Sequence, residues 1–257
     1  FASVDRQTLE KMGSNFISAV ENILWHAPNN IVLTSIPLFI FMSEALSRIG
    51  ISNRLYRGLT PWLGRFPGGL LHSNIGACAV FAAICGSSPA TAATIGIVAI
   101  PELEKRKYDP YLTVGSIAGG GTLGILIPPS ITMIIYASMV GESVGQLFMA
   151  GVIPGILMAI LFMIYIATRV SLQPSLAPKW QAISWKDSFL ALTDVVPSLL
   201  LILMVLGTIY LGMSTPTEAA ALGSAGALLL GLAYRTLTWQ NLKEATLNAT
   251  RVTCALM

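Results

Sequence analysis

Six stretches of the chain, 31–47, 69–101, 111–140, 147–168, 189–212 and 218–234, are almost continuously apolar, and short polar stretches separate them. A helix needs roughly 20 apolar residues to cross the hydrocarbon core of a bilayer. Segments 111–140, 147–168, 189–212 and 218–234 meet or approach that length and predict spanning helices. Segment 31–47 predicts a first apolar helix, with Pro37 inside it and Glu44 near its end. Before it, Leu9, Met12, Phe16, Val20 and Ile23 recur at helical spacing among polar residues. That spacing predicts an amphipathic helix over 7–25, interfacial or packed on other spans. Segment 48–67 sets Arg48, Arg54, Arg57 and Arg65 among Leu55, Tyr56, Leu59 and Trp62, the pattern of a basic interfacial arm. Segment 239–257 starts amphipathic and turns apolar.

Two apolar runs are broken from within. In 111–140 the stretch G-T-L-G-I-L-I-P-P-S occupies 121–130. Pro128 and Pro129 remove two backbone donors, and the second drives its neighbour out of the helical region. In 69–101 the break is C-G-S-S-P-A-T at 85–91. Unpaired backbone groups in hydrocarbon cost several kcal/mol each, so broken helices persist only inside protein or beside a polar cavity. Such breaks mark ion or substrate sites in transporters.

Loop charges set the topology. Segment 48–67 is basic, and so is 102–109, with Lys105, Arg106 and Lys107. Both belong on the cytoplasmic face. The run between them must then enter and leave by that face, each leg too short to cross. It predicts a re-entrant hairpin with its tip at 86–91. The broken helix next crosses outward to 141–146, which carries Glu142 and no cation. Span 147–168 returns to Arg169 and to the loop 171–187 with Lys179 and Lys186; 189–212 crosses out, and 218–234 returns to Arg235 and Lys243. Trp180, Trp185 and Trp239 flank spans as interface anchors.

Composition agrees. The chain has 257 residues, 54% hydrophobic and only 11% charged, with net charge +3 and mean hydropathy +0.72. Soluble domains carry about 25% charged residues. The expectation is an all-α polytopic membrane protein. Cys78, Cys85 and Cys254 lie in apolar segments at no metal-binding or disulfide spacing. Phe1 opens the chain without a signal peptide and Met257 closes it inside an apolar stretch, so we expect a fragment of a longer protein.

Thr60-Pro61, Ser88-Pro89, Asp109-Pro110 and Thr215-Pro216 each read as an N-cap followed by proline at the first helical position. Thr215 with Glu218 also forms a capping-box pattern. S-S-P-A-T-A-A and S-T-P-T-E-A-A therefore resemble one another through shared capping chemistry, but the first should lie within the membrane and the second at its surface. A helix start at membrane depth presents free N–H groups and partial positive charge, a receptor for a carboxylate. The preceding leg ends at Cys85 and Gly86 with free carbonyls, and Ser87, Ser88 and Thr91 add hydroxyls. Oxygen ligation without paired carboxylates suits Na⁺. The plainer alternative is a kinked helix whose serine hydroxyls bond its own backbone. Glycines 115, 119, 120, 121 and 124 give small-xxx-small patterns suited to close helix packing, with backbone exposure to a ligand plausible at Gly121 and Gly124. Glu44 and Arg48, four residues apart, read as an interfacial ion pair. His26 and His72 stand alone and receive no role.

The stretches I-P-L-F-I from Ile36, G-G-L-L-H-S-N-I from Gly68, C-G-S-S-P-A-T-A-A from Cys85 and I-P-E-L-E-K-R-K-Y-D-P from Ile100 resemble the large membrane subunit of tripartite ATP-independent periplasmic (TRAP) transporters. So do G-I-L-I-P-P-S-I from Gly124, A-G-V-I-P-G from Ala150 and S-T-P-T-E-A-A-A from Ser214. The resemblance runs from about residue 31 onward. It implies secondary, Na⁺-coupled import of a small organic acid such as a C4-dicarboxylate or sialic acid. It also implies a small membrane (Q) subunit, a periplasmic substrate-binding (P) protein, and a multi-pass protein of the bacterial inner membrane. The large subunit would work as an elevator of two inverted halves, each with a hairpin and a broken helix, of which this chain matches the first. The family's first two spans and its second half would lie outside the chain.

On this reading, residues 1–67 hold the amphipathic segment, a scaffold helix and the basic arm. Residues 68–140 hold one transport half, and 141–257 hold further spans and a truncated last segment. Na⁺ would bind between Gly86, Ser87 and Ser88 on the hairpin and Gly124 and Ile127 on the broken helix. Ser88, Thr91 and Ser130 would contact substrate. No organic cofactor, other metal or nucleic acid is implied. Three alternatives remain: a related symporter needing no binding protein, a passive channel, and an intramembrane hydrolase using Ser87 or Ser88 with His72 as its base.

Overall fold

The computed structural model describes residues 32–178 and 185–256, and the side chains from 188 in the second stretch. The amphipathic segment 7–25, His26, Lys179, Trp180 and the side chains of Trp185 and Lys186 lie outside the described residues. Ten α-helices follow in order: α1 Ser35–Arg48, α2 Ile51–Leu63, α3 Leu70–Cys85, α4 Ser88–Lys105 and α5 Pro110–Leu126, then α6 Ile131–Val140, α7 Val144–Leu172, α8 Trp185–Tyr210, α9 Pro216–Ala233 and α10 Trp239–Leu256. A single 3-10 turn, Pro174–Leu176, follows α7. The described residues are helical and polytopic, as their apolar runs require. Among the described residues four stretches are long and apolar enough to cross a bilayer: Pro110–Val140 (α5 with α6), Val144–Leu172, Ser188–Tyr210 and Pro216–Ala233. Neither α3 nor α4 is among them.

Helix ends follow local chemistry. Asp109 accepts the Leu112 N–H at 2.9 Å ahead of Pro110. Thr215 and Glu218 exchange both capping-box bonds ahead of Pro216. Two of the four Thr/Ser/Asp-Pro expectations need correction. Pro61 lies inside α2, not at a helix start. The Thr60 hydroxyl donates to the Tyr56 carbonyl at 2.6 Å, one turn back, so the threonine bonds within the helix instead of opening one. At the hairpin the cap is Ser87, not Ser88; Ser88 is the first helical residue and Pro89 the second. The reason is backbone geometry: Ser87 is extended, and its carbonyl already accepts the Thr91 N–H at 3.0 Å.

Hydrogen bonds tie the basic loops into one floor. The Leu70 N–H at the start of α3 donates to the Tyr108 hydroxyl, just past α4, at 3.2 Å. Asp109 N–H donates to the Leu176 carbonyl after α7 at 3.0 Å. The Trp62 indole N–H and the Arg65 guanidinium donate to the Ser188 carbonyl and hydroxyl, both at 3.0 Å, at the start of α8. The hairpin thus begins and ends at one face, the face that also receives α7 and launches α8. At the opposite face, a Cβ on Gly145 near the start of α7 would lie 3.3 Å from Ile209 near the end of α8.

Two groups of helices pack around α3. All of α3 except Ala79 and Val80 is buried, which explains why its apolar residues fall on every face and why even His72, Ser73 and Asn74 are enclosed. It packs on α5, α4 and α7, and on α2 and α1 from the other group; α1 and α2 pack chiefly with α8, α9 and α10. The arm at 48–67 is not merely interfacial: α2 lies bent 69° from α1 and is clamped to the second group. Arg54 pairs with Asp194 at 3.0 Å and stacks 3.9 Å from the Tyr234 ring centroid. The outer surface of α7 exposes Ile153, Ile156, Leu157, Ile160 and Ile164, as a lipid-facing helix does.

Candidate functional site

The hairpin tip and the break in the spanning helix meet at one depth. From the shared floor, α3 rises through 16 residues and α5 through 17. At about 1.5 Å per residue, both reach about 25 Å. There the chain turns at Gly86, whose φ of 63° is left-handed and closes α3 with its N–H on the Ala82 carbonyl. Beyond α5, Ile127 and Ser130 are extended on either side of Pro128 and Pro129, and Ser130 opens α6.

Glycine makes the meeting possible from both sides. A Cβ on Gly86 would sit 2.5 Å from the Pro129 carbonyl oxygen and 3.3 Å from the Ile131 nitrogen. A Cβ on Gly124 would sit 2.6 Å from the Ser87 carbonyl oxygen and 2.9 Å from the Ser88 nitrogen. The Ile131 N–H donates to the Gly86 carbonyl at 3.2 Å, joining tip to break through the backbone. Two further glycines bring α7 against the same break. Cβ atoms there would lie 2.8 Å from the Leu126 carbonyl oxygen (Gly151) and 2.8 Å from Ile127 Cγ1 (Gly155). Of the five α5 glycines, Gly120 and Gly121 pack closely on Cys78 of α3 and Ala92 of α4, Gly119 faces Phe162 of α7, and Gly115 meets open space.

The electrostatics follow from four helix ends. Two N-termini converge here, those of α4 and α6, capped by Ser87 and Ser130 with no side-chain cap bond from either. Two C-termini, of α3 and α5, converge beside them. N-termini favour negative charge and C-termini favour cations. The junction therefore offers a carboxylate and a small cation places within one site. The Ser130 hydroxyl is fully buried and has no hydrogen-bond partner among the described residues. A buried hydroxyl without a partner costs about 1–3 kcal/mol, so a ligand there would recover that loss. No group of three His, Cys, Asp or Glu suited to a metal occurs among the described residues.

A cavity of about 450 Å³ opens at the tip. Gly86, Ser87 and Ser88 line it from the hairpin, and Ile125, Ile131 and Thr132 line it from beside the break. Ile40, Ser43 and Glu44 of α1 form a second wall, and Val252 and Leu256 of α10 a third. The expected residues divide. Gly86, Ser87 and Ser88 face the cavity, and Gly124 buttresses their backbone from behind. Ile127 packs its side chain toward Gly155 of α7. Thr91 and Ser130 are fully buried and do not line the cavity. The Thr91 hydroxyl donates back to the Ser87 carbonyl at 2.8 Å, so that carbonyl holds two bonds already.

Two polar cavity residues escaped the sequence reading, Ser43 and Thr132, and Cys85 was read for its carbonyl and not for its sulfur. The Ser43 hydroxyl donates to the Cys85 sulfur at 3.1 Å, linking α1 to the hairpin tip. Glu44 was visible only as a partner for Arg48. That pair stands at 3.6 Å, Arg48 also bonds Glu244 of α10, and Glu44 itself lines the cavity wall. The hydrolase alternative fails on distance. His72 lies in the first turn of α3, 13 residues before Cys85, about 20 Å along the helix from the tip. Its Nε2 is bonded to the Pro67 carbonyl at 2.7 Å.

Comparison with known proteins points the same way. The model of the tripartite ATP-independent periplasmic transporter DctM component matches residues 7–257. The C4-dicarboxylate TRAP transporter large permease protein DctM of Vibrio cholerae serotype O1 is 37% identical over 223 residues, covering 81% of this chain and 49% of that protein. Its counterpart in Pseudomonas aeruginosa is 36% identical over 237 residues, covering 91% and 55%. The sialic acid TRAP transporter large permease protein SiaM of Vibrio cholerae serotype O1 is 34% identical over 236 residues, covering 89% and 54%. The chain spans about half the length of the curated relatives it matches.

Proposed function

Because the chain belongs to the DctM component family of tripartite ATP-independent periplasmic transporters, we propose that it supplies half of a Na⁺-coupled transport site for a small organic acid. The observation that carries this reading is the meeting of two helix starts and two helix ends where Gly86 and Gly124 let the hairpin tip touch the break. A carboxylate would rest on the Ser88 and Ala90 amides at the start of α4, close to Thr132 across the cavity. Na⁺, the coupling cargo, would take oxygens from the carbonyl ends of α3 and α5 and from the hydroxyls of Ser87 and Ser88, with Gly124 and Ile127 supplying carbonyls. Thr91 would act indirectly, by holding the Ser87 carbonyl in place. Ser130 would turn its free hydroxyl to substrate once the junction closes around a ligand.

Coupling follows from the arrangement. Ordering the junction with Na⁺ would complete the carboxylate pocket, and substrate would in turn raise Na⁺ affinity by the same factor. The hairpin group would move as a body against α1, α2, α8 and α9, the elevator motion, with Ser43 and Cys85 parting at the seam. A periplasmic substrate-binding protein would deliver substrate, and a small membrane subunit would brace the scaffold in the bacterial inner membrane. C4-dicarboxylates and sialic acid, named for the relatives, are the first substrates to try.

The test uses the full-length permease with both partners in proteoliposomes. Uptake should be concentrative and should stop when Na⁺ is replaced by K⁺. Uptake that ignores Na⁺ would end the coupling claim. Replacing Ser87 and Ser88 together by Ala should weaken the Na⁺ dependence; an unchanged dependence would remove these residues from the site.

A further inference from the structure

A second cavity of about 750 Å³ opens on the other side of α5, in the groove between α5 and α7. Its size lies in the range of roughly 300–1,000 Å³ typical of small-molecule sites. Gly115 and Gly119 of α5 face it from one side and Phe162 and Tyr165 of α7 from the other. A Cβ on Gly115 would meet nothing within 4 Å, so the groove stays open where small residues usually mark helix contact.

The groove has polarity. At its floor end stand Asp109 and Arg169, and away from them the lining is apolar or aromatic except for Ser116, whose hydroxyl donates to the Thr113 carbonyl and accepts from Asn74. The Asp109 carboxylate caps α5 by accepting the Leu112 N–H, a favourable place for negative charge. Arg169 forms no ion pair among the described residues and is exposed. Tyr111 is 88% exposed and Tyr165 58%, flanking the same end at the level of the basic loops. Across the 3-10 turn, Lys107 and Arg65 line a neighbouring cavity, which keeps this face positive. A cation with aromatic neighbours at the cytoplasmic end, above an apolar slot running into the membrane, complements an anionic headgroup with its acyl chain.

We propose that this groove binds an acidic phospholipid of the cytoplasmic leaflet, its phosphate on Arg169 and one acyl chain along Gly115, Gly119 and Phe162. Seated there, the lipid fills the gap between the broken helix and α7, the helix that buttresses the break at Gly151 and Gly155.

The test is photolabelling of the full-length permease complex with phosphatidylglycerol carrying a diazirine in one acyl chain. Adducts should map to 111–119 and 161–169, and unlabelled phosphatidylglycerol should compete better than phosphatidylcholine. Arg169→Gln should reduce that preference about fivefold, the factor one cation contributes near an anionic surface. Gly115→Leu should fill the slot and remove the adducts, while leaving labelling of the outer face of α7 intact. Adducts spread evenly over the exposed apolar surface of the native complex overturn the proposal, whatever the variants do. So does cross-linking of a cysteine at position 115 to another segment of protein, which would show that protein fills the groove.

Discussion

Gly124→Ala is the sharpest perturbation of the proposed site. The added methyl would lie 2.6 Å from the Ser87 carbonyl oxygen, 2.7 Å from its carbon and 2.9 Å from the Ser88 nitrogen. These are backbone atoms, so no rotamer change relieves the contact. The tip must retreat by about 0.8 Å to reach ordinary van der Waals distance. Such overpacking typically costs about 1–3 kcal/mol. Alanine also favours the helix by about 0.5–1 kcal/mol over glycine, so global stability should change little while the junction loosens. Gly115→Ala isolates that second effect, because it meets nothing within 4 Å. If Na⁺ binds only where tip and break meet, the Na⁺ concentration for half-maximal uptake should rise about fivefold to a hundredfold in Gly124→Ala. In Gly115→Ala it should not move, and thermal stability should rise slightly. The assay is initial uptake rate against Na⁺ in proteoliposomes holding the full-length permease and its partners. Equal half-maximal Na⁺ in wild type and Gly124→Ala would refute the proposal that this contact builds the cation site.

Three other outcomes are expected. Tyr108→Phe leaves the Leu70 N–H without its acceptor and should lower stability by about 1 kcal/mol, read by thermal unfolding in detergent, with Na⁺ dependence unchanged. A double-mutant cycle on Arg54→Ala and Asp194→Ala should give a coupling of about 0.5–1 kcal/mol, since the 3.0 Å pair is only half-buried; a coupling of zero would mean that stacking on Tyr234 alone holds Arg54. Ser43→Cys, in a Cys254→Ser background, should form an oxidant-induced bond to Cys85 that arrests uptake until reduced; unimpaired uptake by the cross-linked protein would show that α1 and the hairpin tip do not part during transport.

Much of the fold was legible because bilayer thickness and loop charge act on whole segments. The four spans follow from apolar length alone, and the hairpin follows from requiring residues 65 and 105–107 on one face. The Leu70–Tyr108 hydrogen bond makes that deduction visible in atoms. The two breaks were legible because proline and glycine act locally. What escaped notice depends on contacts across the fold. No local pattern says that Thr60 will bond backward within α2 instead of opening a helix, or that Ser87, not Ser88, will be extended. Ser43 and Thr132 look like ordinary small polar residues until α1 and α6 stand beside the hairpin tip. Glu44 was paired correctly with Arg48, but its contact with α10, where Asn248 donates to its carboxylate at 3.5 Å, has no local signal. Thr91 was named for its spacing alone, and its donation to the Ser87 carbonyl appears only once the helix start is built.

The common floor beneath α3, α4 and α5 makes site depth a matter of counting. Each helix is a ruler laid from the same baseline, and tip and break coincide because the rulers agree. One residue inserted in α3 would raise the tip by about 1.5 Å and swing it about 100° around the helix axis. Gly86 would then no longer face the Pro129 carbonyl. Insertions within 70–126 should therefore abolish transport even at lipid-facing positions where any side chain is tolerated. Insertions in the loop after Leu176 should be accepted. Across residues 70–126, selection should act on chain length as strictly as on residue identity.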